Sequence, residues 1–363
     1  VAAAAAAVVL MATIWTGREG QTIASPDTAS ELAAAPAATP TLDCAEHRAL
    51  DWLAKAQESA GNWSAARWGG QPSYDVGLTA LAAMTFLNST PTTNGAENGD
   101  VLRRALDYLL TKQASGGCFG PLFDGALYNH GIATVALLEA FGRGQRSELR
   151  GPIDGAIRFL LAKQSPQGGW GYLGVAGDAP NTALTCWPLQ ALVVGRALGW
   201  TELDEPIDRG LAYLERVTDR RGRVGYRAVG DFPYGSRGSS SMGAFCVLLA
   251  REARSIPTEI AEQILAEGIN ANESRPGVRD LYGDFFLSSA LTALPAERGD
   301  QWPRAACMTL AKQQVTDGDQ RGSWEPKDQW SLVGGRIYST ATATLILQSE
   351  RRTMALAKWV RGG

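Results

Sequence analysis

Three aspartates are the first residues in this chain whose setting suggests chemistry. Asp75 stands in "SYDVGLTA", and Asp280 and Asp284 stand in "RDLYGDFF", each where a turn meets an apolar run. A carboxylic acid there can give up a proton to a substrate if its surroundings keep it protonated. An aspartate at a helix start ordinarily caps the helix, and the amide hydrogen bonds it accepts favour the charged form. Asp75 and Asp284 are therefore the candidates for a general acid, with capping as the competing reading. Cys118, Asp124 and His130 supply the other set, a thiol, a carboxyl and an imidazole of the types that bind zinc. Their spacing fits no established zinc pattern. His130 beside Asn129 reads equally well as a hydrogen-bonded residue at a helix start.

Other chemistries lack their motifs. Five scattered cysteines without Cys-x-x-Cys spacing give neither a disulfide framework nor a structural zinc site. No Gly-x-Ser-x-Gly elbow, Walker loop or dinucleotide fingerprint is present, so no cofactor is expected. A net charge of -3 offers no basic field and argues against a nucleic-acid partner.

The elements that would position these residues follow from composition and period. The 363 residues include 41 glycines and 11 tryptophans, which suggests many tight turns with aromatics packed over them. "ALDWLAKAQESAGNW" (49–63), "ALDYLLTKQASGGCFG" (105–120) and "AIRFLLAKQSPQGGWG" (156–171) are versions of one unit. Residues 305–324 carry it with an insertion, and 210–226 carry a degenerate copy without the glutamine. Gln57, Gln113 and Gln164 recur at about fifty residues, a period that marks a repeat architecture. Each amphipathic unit precedes a run apolar on every side, as in "NHGIATVALLEAF" and "NTALTCWPLQALVV". Such a helix must be buried all round. Outer and inner helices alternating in this way predict an all-α (α/α)6 toroid of about six hairpins, with "EIAEQILAEGI" (259–269) as the outer helix of the fifth. The glutamine and glycines then reverse the chain beyond the outer helix, and the tryptophan covers the turn.

The repeats resemble the glutamine–tryptophan repeats of squalene and oxidosqualene cyclases. Related repeats occur in prenyltransferase β-subunits and complement-type thioester domains, all of which are α/α toroids. "YNHGIATVALLEAFG", "NTALTCWPLQAL" and "GSWEPKDQWSLVGGRIYSTATATL" resemble segments of a largely uncharacterised group of bacterial cyclase-like repeat proteins. The resemblance covers residues 43–350 and implies the fold. It also states what an active relative needs: an Asp-x-Asp-Asp acid motif, an Asp-Gly-Cys zinc segment, or Gly-Cys-Gly-Glu-Gln. None is present; "FDGA" has Ala126 where the zinc thiolate would stand.

Residues 1–20 begin with "VAAAAAAVVLMATIW", shorter than the roughly twenty residues of a full span. They read as a signal segment or as the visible end of a membrane anchor, with the anchor favoured. Residues 21–42 are a Pro/Ala-rich linker, 43–350 the toroid and 351–363 a C-terminal tail. The body is expected outside the cytoplasm, in the periplasm or cell envelope, with a membrane-protein partner through the N-terminal helix.

In a toroid the inner helices start at one rim, and their dipoles favour an anion or polar group there. Asp75, Asn129, Asn181, Ser240, Asp284 and Ser339 are the expected caps of that mouth. Tyr74, Asp75, Tyr128, Asn129, His130, Asn181, Tyr282 and Tyr338 are its expected ligand-binding residues. Trp187, Phe245, Phe285 and Phe286 would line a chamber below for an apolar or isoprenoid ligand. The sequence thus reads as a non-catalytic binding or assembly module, with a divergent terpenoid cyclase or prenyl-handling enzyme as the alternative.

Overall fold

The computed structural model describes residues 42–90, 96–172, 178–250, 280–294 and 301–362. The expected anchor, most of the linker and the helix at 259–269 lie outside them. Among the described residues there are twelve α-helices and no strand. The outer helices are α1 (Leu42–Ala56), α3 (Ala96–Thr111), α5 (Arg150–Lys163), α7 (Asp204–Val217) and α10 (Gln301–Gln313). The inner helices are α2 (Asp75–Leu87), α4 (Ala126–Gly142), α6 (Thr182–Ala197), α8 (Ser236–Ala250), α9 (Leu281–Ala293) and α11 (Ser331–Leu347). A last helix, α12 (Ser349–Gly362), takes the place of the expected tail.

The inner helices close a ring. α2 packs on α4, α4 on α6, α6 on α8, α8 on α9, α9 on α11, and α11 returns to α2. Their composition explains why they are inside: in α2 every residue from Val76 to Leu87 is buried. With no polar face, such a helix is stable only when surrounded.

Among the described residues, the repeated turn joins four of the hairpins to their neighbours. Gln57 Nε2 donates to Gly61 O in its own turn and to Val101 O on α3, both at 2.9 Å. Gln113 makes the same pair of bonds to Gly117 O and Pro152 O, and Gln164 to Gly168 O and Pro206 O. Gln314 donates to Gly322 O at 2.9 Å and to Ala45 O of α1 at 2.8 Å, so the same staple seals the ring. The turn glycines Gly61, Gly117, Gly168 and Gly322 have φ of 93°, 88°, 92° and 97°. A Cβ on any of them would collide with a carbonyl of the following outer helix. Glycine is thus required both by conformation and by approach. The indoles of Trp63, Trp170 and Trp324 are buried, each donating to a carbonyl of its own outer helix, Leu53, Leu160 or Leu310.

The ring is not hollow. Trp187 stacks on Phe285 with centroids 6.0 Å apart, and Phe286 packs edge-on against both. Phe245 lies against Phe286 at 6.2 Å, and all four side chains are buried. Below them the Arg352 guanidinium of α12 sits 5.3 Å from the Phe285 ring. The expected apolar chamber is therefore filled by the residues predicted to line it, because large aromatics on facing helices pack on one another when nothing holds them apart. Cavities of about 410 and 570 Å³ open instead beside α12 at the opposite end from the mouth.

Candidate active site at the mouth of the ring

The rim differs from the expected one by about a turn. Asn181 does cap α6, its Oδ1 accepting from Leu184 N at 2.9 Å. The cap of α9 is Asp280, whose Oδ1 accepts from Gly283 N at 3.0 Å, and Asp284 lies inside the helix. Asn129, Ser240 and Ser339 also lie within their helices. Asn129 braces α2 by accepting from Gly77 N and donating to Ser73 O. Ser240 accepts from Val224 N, as Thr79, Thr185 and Thr340 accept from the N–H of Trp63, Trp170 and Trp324. These polar residues hold the preceding turn. Polarity at the edge of an apolar run does not distinguish that task from capping.

His130 belongs to the same set. Its Nδ1 accepts from Phe119 N at 3.0 Å, and Nε2 lies 3.2 Å from Ala156 O. Both nitrogens are engaged, and burial pulls the pKa down to about 4, leaving a neutral ring with its proton on Nε2. Burial pushes the Cys118 thiol up to about 11, away from the thiolate a metal needs. Cys118, Asp124 and His130 are not brought together: no metal-binding group of three such residues occurs among the described residues.

The mouth does assemble titratable and hydroxyl groups. Tyr128 sits where Tyr74, Tyr172, Tyr226 and Tyr282 converge, and burial raises its pKa first, with those phenols adding to it. Tyr172 and Tyr226 share a hydrogen bond of 2.6 Å, and Tyr282 accepts from Trp187 Nε1 at 2.5 Å. Tyr338 is buried and donates to Asp328 Oδ2. Tyr226 and Tyr282 also have raised pKa values, chiefly through burial. At neutral pH these phenols are uncharged, each able to donate and accept.

Asp280 lies at the edge of this cluster, partly open to solvent. Trp330 Nε1 donates to its Oδ1 at 3.0 Å, and Trp330 in turn lies edge-on to Tyr234 and Tyr282. Oδ2 takes no hydrogen bond from a described residue. A Cβ at Gly283 would stand 2.8 Å from it, so the glycine leaves that oxygen room. The pKa of Asp280 is raised, first by burial and then by the charges of Asp284 and Asp328, against the lowering effect of Gly283 N–H and Arg237. Capping alone predicts the opposite direction, and here desolvation beside two other carboxylates outweighs it. Asp284 is buried and paired with Arg237 at 2.9 Å. Asp75 is also raised, by burial first, while its Oδ1 accepts from Ala65 N at 2.8 Å.

Asp280 stands out in the sequence, but the partners that matter to it do not. Arg237 on α8, paired with Asp284, acts on it as a nearby charge, and Asp328 and Trp330 come from the loop before α11. The last two stand in the quoted segment "GSWEPKDQWSLVGGRIY", whose Asp-x-Trp was the available signal.

No family model matches the sequence, and no curated protein is similar to it. Solved structures are. An inactive α-1,6-mannanase variant of Salegentibacter sp. HEL1_6 with two adjacent aspartates replaced, in complex with α-1,6-mannotriose, is similar at TM-score 0.63 and 10% identity, covering 86% of this chain and 100% of that one. An α-mannanase of Bacteroides thetaiotaomicron is similar at TM-score 0.62 and 12% identity, covering 86% and 96%. A type II terpene cyclase from Scytonema in complex with geranylgeranyl dihydroxybenzoate is similar at TM-score 0.57 and 16% identity, covering 86% and 97%. The fold is thus an α/α toroid, as the repeats predict. The reading as a non-catalytic module is corrected: similar folds include glycosidases, one of them captured with its saccharide. Its isoprenoid alternative is set aside with it, since the aromatic interior is closed.

Proposed function

We propose that this chain is a glycan-cleaving enzyme in which Asp280 is the general acid. The observation that carries the reading is a single carboxyl, desolvated beside Asp284 and Asp328, with one oxygen committed to Trp330 and Gly283 and the other open at the mouth. Cleaving a glycosidic bond requires proton donation to the leaving oxygen, a task suited to a carboxylic acid of raised pKa. Water forms the new bond to the sugar carbon as the bond to the leaving oxygen breaks, while Asp284, buried a helical turn further along α9 and paired with Arg237, keeps negative charge beside Asp280.

The surroundings favour a neutral polyhydroxy substrate. Phenols that both donate and accept match sugar hydroxyls, and aromatic rings offer faces to the C–H side of a pyranose. A prenyl diphosphate would call for free cations, whereas Arg237 is paired with Asp284. The resemblance of the glutamine–tryptophan turns supports a common descent with the cyclase-like toroids, without their hydrocarbon chemistry. The chain has no two successive aspartates, so the acid is assigned from its own geometry and not from the mannanase variant. We further propose an extracytoplasmic site of action, supported by the apolar residues 1–15 and the linker after them.

The test is incubation with α-1,6-mannotetraose and a panel of neutral oligosaccharides, followed chromatographically. Cleavage of at least one is expected, and Asp280→Asn should slow it by about 10²–10⁴-fold. Failure to cleave any neutral glycan, or full activity in Asp280→Asn, overturns the assignment.

A further inference from the structure

Asp328 enters the chemistry described above only as a neighbouring charge, yet it accepts five hydrogen bonds at the mouth. It lies in the loop before α11 and is buried. Its Oδ1 accepts from Trp330 N at 3.1 Å, from Ser331 N at 2.9 Å and from Ser331 Oγ at 2.7 Å. Its Oδ2 accepts from Leu281 N at 3.1 Å and from Tyr338 Oη at 2.9 Å. Both oxygens are filled by donors, an arrangement suited to a carboxylate and not to a carboxylic acid.

Two of these bonds bracket Asp280. Leu281 is the next residue along the chain, so its N–H fixes the backbone on which Asp280 stands. Trp330 carries the indole that donates to Asp280 Oδ1. We infer that Asp328 is a positioning residue for Asp280: it holds the indole against Oδ1, directs the acid's proton to Oδ2, and sets a fixed negative charge beside it. This rests on the reading of Asp280 as the acid. Among the described residues, the other groups facing Asp280 are Asp284, Tyr282 and Gly283 N–H on α9, Arg237 on α8, and Tyr338 on α11. Among them Asp328 alone touches both the backbone after Asp280 and the residue that bonds its side chain. A role confined to tying α9 to α11 would need the same hydrogen bonds but not the charge.

Asp328→Asn keeps size and removes charge but also turns one accepting oxygen into an N–H donor, so it is read against Tyr338→Phe, which loses a bond to Asp328 and no charge. The readout is the titration of Asp280 followed by carboxyl-carbon NMR on the full chain, alongside the pH profile of glycan cleavage. A general acid loses activity as pH rises through its pKa. Losing the neighbouring charge should therefore move both the NMR midpoint and the basic limb down, by about 1 pH unit. Tyr338→Phe removes one bond and no charge and should leave both in place. Trp330→Phe removes a donor that favours the charged form and should move both up; it also keeps the inference testable should Asp328→Asn not fold. A folded Asp328→Asn protein whose Asp280 titrates unchanged overturns the inference, as does an unmoved Asp280 in Trp330→Phe. An NMR midpoint that moves as expected in a chain that cleaves no glycan upholds the positioning role and overturns the enzymatic reading alone.

Discussion

His130 shows how one residue can be dictated by its hairpin while looking like a ligand. It occupies the position that Thr79, Thr185 and Thr340 occupy in other hairpins, accepting the N–H of the aromatic in the preceding turn. Its pKa falls from 6.5 in the unfolded chain to about 4 in the fold. Between those values the unfolded chain takes up a proton that the folded one refuses, so stability is lost as pH falls through that window, by ~3 kcal/mol at its lower end. His130→Thr should remove most of that loss, read as the change in urea midpoint between pH 7 and pH 4.5. An unaltered pH dependence would show that the ring is not held neutral. At the mouth, Gly283 tests the room left for Asp280 Oδ2. Alanine there is a better helix former by about 0.5–1 kcal/mol, yet its Cβ would press on that oxygen. Gly283→Ala should therefore cut glycan cleavage about tenfold or more, within the range a misplaced general acid loses, while the melting temperature holds or rises. A parallel fall of both would point to simple damage. Asp280 was visible in the sequence as an aspartate at a turn, with Asp284 expected as the cap, but its raised pKa was not, because that comes first from burial and then from Asp284 and from Asp328 in the loop before α11.

At the level of elements, the turn is the unit that makes a ring from hairpins. Each glutamine spends one amide on two backbone carbonyls, one in its own turn and one on the next outer helix. Losing such a pair of part-buried bonds costs about 1–3 kcal/mol. Gln314 is distinct because its far carbonyl belongs to Ala45, at the other end of the described chain, and Arg48 Nε donates back to its Oε1 at 2.9 Å. Gln314→Ala should loosen α1 and α10 together, seen as faster amide exchange in Leu42–Ala56, whereas Gln164→Ala should loosen α5 and α7 and leave α1 protected. Equal exchange in α1 for the two variants would mean that the seam is held by packing alone. The helices and their pairing were legible in the sequence, since periodicity and all-round apolarity are local properties. The register at the rim was not. Asn129, Ser240, Asp284 and Ser339 sit inside their helices because their partners are turns and helices elsewhere in the chain, which no local pattern reveals.

The described helices form a ring sealed along its axis, and the seal is ionic as well as aromatic. Arg352 of α12 reaches the axis with no exposed surface and pairs with Glu139 of α4, also fully buried, at 2.7 Å. Glu139 accepts in addition from Asn88 Nδ2 at the end of α2, and Arg143 donates to Asn88 Oδ1. Glu46 of α1 accepts from Gln348 and Arg351, so the network touches the first and last parts of the ring. These cations lie at the C-terminal ends of the inner helices, where the dipoles favour them, as carboxylates are favoured at the opposite mouth. A ring closed in this way cannot pass a hydrocarbon through its centre, which confines chemistry to the rim. The composition hid this outcome, because the aromatics that fill a core and those that line a chamber are the same residues. Breaking one side of the pair should be far costlier than replacing both: Arg352→Met alone leaves Glu139 charged and buried, a loss of ~3–5 kcal/mol, whereas Arg352→Met with Glu139→Leu should recover a large part of it. Urea unfolding of the two variants measures the difference. If the double variant were no more stable than the single one, the axis would depend on charge and not on filled volume, and the closed interior would lose its packing explanation.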